Sequence, residues 1–271
     1  MESFFLIKPL LKMEQMNKQI DIYKSLINDF CLETYQYKNK IDIPGIFIPH
    51  GLSKYNCAKK KYFYIGRDTN DWCKFNELIS FYEDNNIEKY IEENNWPTSS
   101  DEFLEYTNNS QGGFWTLAAK LHLKLNGIKE DIQINTQMKN EYKEILEEMG
   151  YGNLNSIETK QSLQNRSQWE SIDKSIYEDI KQKSKRFDRL KLILDLYNPD
   201  YIFIFNWDAD ENLAFTDLQV ERLEHQNIEN ICSVYYVKEN NTKIIWTIHP
   251  NNLRFKGMNI NDLITIILER L

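Results

Sequence analysis

The chain has 271 residues, 41% of them hydrophobic and 13% aromatic, which is enough apolar side chain for a sizeable core and excludes disorder over most of its length. With 33 Lys and Arg against 41 Asp and Glu, the formal net charge of -8 argues against a protein that coats nucleic acid indiscriminately, while leaving local basic groups able to meet phosphate. No apolar run approaches the roughly 18 residues of a membrane-spanning helix, and the opening MESFFLIKPLLKMEQ offers no small-residue cleavage site, so a soluble, cytoplasmic protein is expected.

From the amino terminus, helical spacing of Ile20, Tyr23, Leu26, Ile27 and Phe30 predicts a helix from about Glu14 to Tyr35. The first strand signal is Tyr62-Phe63-Tyr64-Ile65, aromatic and β-branched, stopped by Gly66 and followed by the polar turn Arg67-Asp68-Thr69-Asn70-Asp71-Trp72. Helices are expected over about Lys74–Asn94, over Asp101–Thr107 behind Ser99-Ser100, over Phe114–Leu125 after Gly112-Gly113, and near Gln137–Glu148. Met149 to Asn155 reads as a short strand running into a polar loop. A helix from about Gln168 to Tyr197 is expected to end where Asn198-Pro199 forbids continuation. Two further runs, Tyr201–Phe205 and Lys243–Ile248, have the unbroken apolar character of strands covered on both faces. Val234 to Val237 adds a strand that turns at Asn240-Asn241, and a helix from about Asn261 to Leu271, capped by Asn259 or Asn261, closes the chain.

Glycine (9) and proline (6) are too sparse to mark a flexible linker, so one domain over residues 1–271 is expected, with helical decoration over 1–55 and helical insertions over about 74–148 and 156–198. Strands alternating with helices predict an α/β fold: a three-layer α/β/α sandwich with a short, mostly parallel central sheet. Cys31, Cys57, Cys73 and Cys232 show no C-x-x-C spacing, which disfavours zinc or an iron–sulfur cluster.

In such folds reactive groups gather where strands end, because loops there carry side chains on a rigid base. Asp68 lies two residues past a strand-ending glycine, where a carboxylate can accept a proton from water or face a developing cation; it can equally cap the next helix. His249 follows an apolar strand directly and is stiffened by Pro250, so its imidazole can hydrogen-bond a leaving group, or simply be a satisfied surface histidine. Asn153 and Asn155 offer an amide to a base edge in a chain rich in Asn, and Trp72, Phe81, Phe114 and Trp115 are stacking candidates that core packing would also explain. Lys59-Lys60-Lys61, the stretch from Lys181 to Lys191, and Arg254 with Lys256 are the basic groups; taken singly, each reads better as a solvated face. No phosphate loop, dinucleotide fingerprint, nucleophile elbow or zinc-peptidase pair occurs.

Together, Gly66-Arg67-Asp68-Thr69-Asn70 at the end of one strand and His249-Pro250-Asn251-Asn252-Leu253 at the end of another resemble the two end motifs of the uracil-DNA glycosylase superfamily. The resemblance runs in order over roughly Tyr62 to Phe255. It implies a three-layer α/β/α fold and hydrolysis of an N-glycosidic bond in DNA, with the target base flipped out of a double strand. It implies Asp68 as the carboxylate that positions water, His249 as the stabiliser of the departing base, and Asn153, or else Asn155, as the base reader. Gly66, Arg67, Asn70, Trp72 and Phe114 would complete the base pocket. Leu253 would be the wedge that fills the vacated stack, and Arg254, Lys256, Lys59, Lys60 and Lys61 would hold phosphates. No cofactor, metal, membrane or obligate protein partner is expected.

Asn70 stands where the uracil-specific branch has a tyrosine, and Thr69 where it has a proline. The barrier against groups on the fifth carbon of a pyrimidine is then smaller. A larger target is expected, such as hydroxymethylated or glucosylated cytosine of phage DNA, with a role in antiviral defence. An ordinary uracil repair enzyme, a non-catalytic nucleic-acid-binding module and a nucleoside hydrolase are the alternatives.

Overall fold

Three apolar runs make the centre of one sheet in the computed structural model, which describes residues 20–67, 73–93, 99–102, 113–130, 141–207 and 210–271. They are β2 (Tyr62–Gly66), β4 (Tyr201–Phe205) and β7 (Thr242–Thr247). Phe63, Tyr64, Ile65 and the run Ile202 to Phe205 are fully buried. Unbroken apolar sequence is what strands covered on both faces require.

The four other strands found among the described residues are β1 (His50–Gly51), β3 (Met149–Asn153), β5 (Val220–Arg222) and β6 (Cys232–Val237), giving the order β1-β3-β2-β4-β7-β6-β5. The centre is parallel, with Tyr62 opposite Tyr201 and Ile65 opposite Ile204, then Tyr201 opposite Lys243 and Phe205 opposite Thr247. At the edges β1 runs antiparallel to β3, and β6 runs antiparallel to both β7 and β5. The expected α/β class, with a central sheet flanked by helices, is the fold observed.

The described chain forms two compact units, each built from separate stretches of sequence. One consists of residues 20–48, 73–93 and 153–196 and is helical. It contains α1 (20–34), α2 (Phe75–Glu83), α3 (Ile87–Glu93), α6 (Lys160–Asn165), α7 (Lys174–Ser184) and nearly all of α8 (Leu190–Tyr197). Phe30 sits at its core, meeting the rings of Phe75 and Phe187 edge-on at 6.3 and 5.9 Å. The other unit, residues 49–67, 99–102, 113–130, 141–152, 197–207 and 210–271, carries the sheet with α4 (Gly113–Leu125), α5 (Lys143–Leu146), α9 (Glu211–Ala214) and α10 (Ile260–Leu268).

Two long helices expected from the sequence are each broken. The Lys74–Asn94 helix divides into α2 and α3 at Asn85, whose φ of 52° is left-handed, a conformation asparagine tolerates better than most residues. The Gln168–Tyr197 helix is two helices and two 3-10 turns. Asp173 starts α7 by accepting from the amides of Ser175 and Ile176, and Asp188, between α7 and α8, turns its carboxylate onto Ser156. Both aspartates serve as backbone acceptors, the role that makes Asp a helix boundary rather than a helix interior residue. The final helix begins as expected, with Asn259 capping in a reciprocal box with Asp262. Among the described residues no helix is long and apolar enough to cross a membrane.

Candidate active site

Parallel register decides which loops share an edge. Because Ile65 pairs with Ile204 and Phe205 with Thr247, the strand ends Gly66, Phe205 and Thr247 lie in one row. The two motif-bearing loops therefore leave the same edge of the sheet with one strand between them, roughly 10 Å apart at the backbone. Gly66 and half-buried Arg67 begin the first loop. Asp68, Asn70 and Trp72, the remaining residues assigned there, lie outside the described residues.

The second loop is more fully built. His249 has extended backbone (φ -66°, ψ 138°) and Pro250 opens a 3-10 segment, Pro250–Lys256. His249 Nδ1 accepts the amide of Asn251 at 3.2 Å, and Asn252 N–H donates to the His249 carbonyl at 2.8 Å. An imidazole whose Nδ1 is an acceptor carries its proton, when neutral, on Nε2. The ring is thereby set to donate from Nε2. Gly257, at φ 65°, ends the segment in the left-handed conformation natural to glycine.

Helix α4 brings an aromatic to the same edge. Phe114 is half-buried, with its ring 5.8 Å from that of Phe205, the last residue of β4, and 4.9 Å from that of Trp115. A β-carbon on Gly113 would fall 2.6 Å from Asn251 Oδ1 and 3.4 Å from Pro250 Cβ, so glycine lets the start of α4 approach the histidine loop this closely. Behind the edge, His122 of α4 is buried between the Tyr64 hydroxyl at 2.9 Å and the Ile145 carbonyl at 2.9 Å, and burial pushes its pKa down to about 4. Its ring is a neutral core bridge, with Tyr64 donating to Nδ1 and Nε2 donating to the carbonyl.

Asn153 closes β3, whose neighbour on one side is β2. Asn155 lies in the helical unit, where its Oδ1 accepts from Lys181 Nζ at 3.0 Å; the same ammonium reaches the Ile157 carbonyl at 3.0 Å. That lysine is thus tied into the loop after β3 rather than presented as part of a basic surface run. Asp188 completes the clamp by accepting from both the amide and the hydroxyl of Ser156 at 2.7 Å.

Two groups of sequence-assigned residues are placed elsewhere than expected. Lys59, Lys60 and Lys61 precede β2 and so lie at the amino end of the parallel strands, away from the row of strand ends. Lys60 and Lys61 sit over the rings of Tyr201 and Tyr55, and the Lys61 amide donates to Asp200, so the geometry does not bring them to the phosphates of a ligand held at the other edge. Leu253, assigned as a wedge, is turned into the interior and is only 3% exposed, whereas Phe255 two residues on is 73% exposed. Arg254 and Lys256 are exposed. The sequence motifs assign no role to Asn251, Phe255 or Lys120, although an aromatic between two cations, Arg254-Phe255-Lys256, is a signal for the second of these.

Among the described residues no three His, Cys, Asp or Glu side chains group as a bound cation would require. No protein-family model and no curated protein sequence significantly matches the chain.

Proposed function

We propose that the protein is a DNA glycosylase that hydrolyses the N-glycosidic bond of a flipped-out pyrimidine and leaves an abasic site. The observation that carries this reading is the in-register alignment of β2, β4 and β7, which ends the Gly66-Arg67 strand and the His249 strand on one sheet edge. Supporting it are the Nδ1 acceptor role of His249 and the ring of Phe114 at the end of the intervening strand.

In this mechanism the C1′–N bond breaks with its electron pair leaving on the base. Charge collects on a base oxygen, and Nε2–H of His249 donates to that oxygen, an interaction that strengthens only as the charge develops. The sugar becomes cationic at C1′. Asp68, next in the chain after Arg67, stabilises that cation and takes a proton from the water that adds to it, completing hydrolysis. Asn153 reads the base edge through its amide, and Phe114 offers a face for stacking.

The substrate we favour is a pyrimidine enlarged at its fifth carbon, as in hydroxymethylated or glucosylated cytosine of phage DNA, because Asn70 replaces a bulkier barrier. Such an enzyme would act in the cytoplasm, a setting in which its four free cysteines stay reduced. The deciding experiment is a gel assay for abasic sites on duplexes carrying uracil, 5-hydroxymethylcytosine or glucosylated 5-hydroxymethylcytosine. Release from the modified cytosines, lost in Asp68→Ala, is the expected result. Release from uracil alone would return the protein to ordinary repair, and release from none would remove the enzymatic reading.

A further inference from the structure

The loop that starts at His249 presents an aromatic side chain to solvent and hides an aliphatic one. Leu253 is 3% exposed and Phe255 is 73% exposed, more than any other large apolar side chain among the described residues. Phe255 stands between two exposed cations, and the Arg254 guanidinium lies 4.8 Å from the centre of its ring. The segment beneath is fixed at both ends. His249 caps its start, Gly257 N–H donates to the Arg254 carbonyl at 3.2 Å, and Met258 N–H donates to the Leu253 carbonyl at 3.1 Å. Beside it lies an open groove of about 750 Å³, lined among others by Lys120, Asn251, Arg254, Asn259 and Asn261. Among the described residues that line it there are two cations and three amides, and no carboxylate.

We propose that Phe255, and not Leu253, is the side chain that enters the base stack of bound duplex DNA, with Arg254 and Lys256 on the phosphates to either side and the Lys120 groove carrying the adjoining backbone. The proposal rests on the glycosylase reading. Its physical basis is local. An apolar ring inserted between base steps needs a rigid mount and flanking cations to hold the kinked backbone, and this segment has both. A single exposed aromatic is far short of the 20–30 residues per side of a stable protein interface. Amides beside cations suit the alternating sugar and phosphate acceptors of a nucleic-acid backbone. Insertion of Leu253 would instead require the segment to unfold, because that side chain is part of the interior.

The test uses the full chain and a duplex with a tetrahydrofuran abasic site next to 2-aminopurine, so that the identity of the excised base does not enter. The wild-type protein should bind this duplex more tightly than an undamaged one and change the 2-aminopurine fluorescence. Phe255→Ala should bind at least tenfold more weakly and lose the fluorescence change, with an unaltered melting temperature; Phe255→Trp should restore both. If the wild-type protein binds no DNA, the glycosylase reading fails and takes this proposal with it. If the wild type binds and Phe255→Ala behaves identically, only the assignment of Phe255 is overturned. Loss of binding to vesicles of anionic lipid in Phe255→Ala, with DNA binding intact, would likewise overturn it in favour of a membrane contact.

Discussion

The Tyr64 hydroxyl and the His122 imidazole meet at 2.9 Å in the protein interior, one from the central strand β2 and the other from the helix α4 that also carries Phe114. Burial holds the folded pKa of His122 near 4, against 6.5 for the free side chain. Between these values the unfolded chain binds a proton that the folded protein refuses. The contribution of His122 to stability is thus intact above about pH 6.5 and is lost as the pH falls toward 4, by up to about 3 kcal/mol. Urea unfolding at pH 7.5, 6, 5 and 4 checks this, together with NMR: the His122 ring should not titrate between pH 8 and 5. A ring that protonates near pH 6.5 with no loss of stability would refute the buried bridge.

His249 is expected to be the Nε2–H tautomer when neutral, because Nδ1 already accepts from Asn251. Long-range nitrogen–proton NMR spectra distinguish the two tautomers directly. On the proposed mechanism, His249→Ala lowers single-turnover base release by about 10²–10³-fold, the range for removing one donor to developing negative charge. Its cost in stability is that of one lost cap, about 1 kcal/mol. Unchanged turnover in that variant would strike the imidazole from the mechanism.

Gly150→Ala should destabilise the fold by about 1–3 kcal/mol, the usual penalty for overfilling a packed core. Its β-carbon would lie 2.4 Å from the Phe63 ring and 2.7 Å from the Tyr55 ring, and neither is the flexible end of a side chain. Gly152→Ala meets Pro49 at 3.0 Å and Phe63 at 3.3 Å and should cost less. Paired denaturation curves give the order, and an equal or reversed ranking would contradict the packing.

Asp188→Ala removes the acceptor shared by the amide and hydroxyl of Ser156 and leaves Lys181, 3.6 Å from the carboxylate, partly buried without its counter-ion. A loss of about 3 kcal/mol is expected, as for breaking one side of a buried ion pair. Hydrogen exchange should speed up at Ser156 and its neighbours before it does in β4. Uniform acceleration across the sheet would mean that the aspartate supports the whole fold rather than the loop after β3.

How legible was all this in the sequence? The central strands were plain because covered strands are written as apolar runs, and β2, β4 and β7 follow those runs to within one residue. β1 and β5 were not, since two and three residues leave no period to detect. β3 was a weak signal because its glycines exist for the rings of Phe63 and Tyr55, a tertiary demand that propensity does not express. The helix breaks at Asn85 and Asp188 are not legible, because apolar spacing continues through them while the backbone does not. In the site, the loop bases Gly66 and His249 were readable from strand endings. The inward turn of Leu253 and the outward turn of Phe255 were not, because a 3-10 segment presents its side chains with a three-residue repeat that the residue types alone do not phase.

Lys61 and Asp200, which bond across the start of β2 and β4, are 139 positions apart in the chain. A nascent polypeptide leaving the ribosome must therefore carry the apolar strand Tyr62–Gly66 without its parallel neighbour while the residues between Lys61 and Asp200 are added, for some 7–28 s at ordinary elongation rates of roughly 5–20 residues per second. Production of this protein should accordingly be sensitive to chaperone supply and to slow codons placed before residue 205. Fragments that stop short of β4 should accumulate as aggregates rather than as folded pieces.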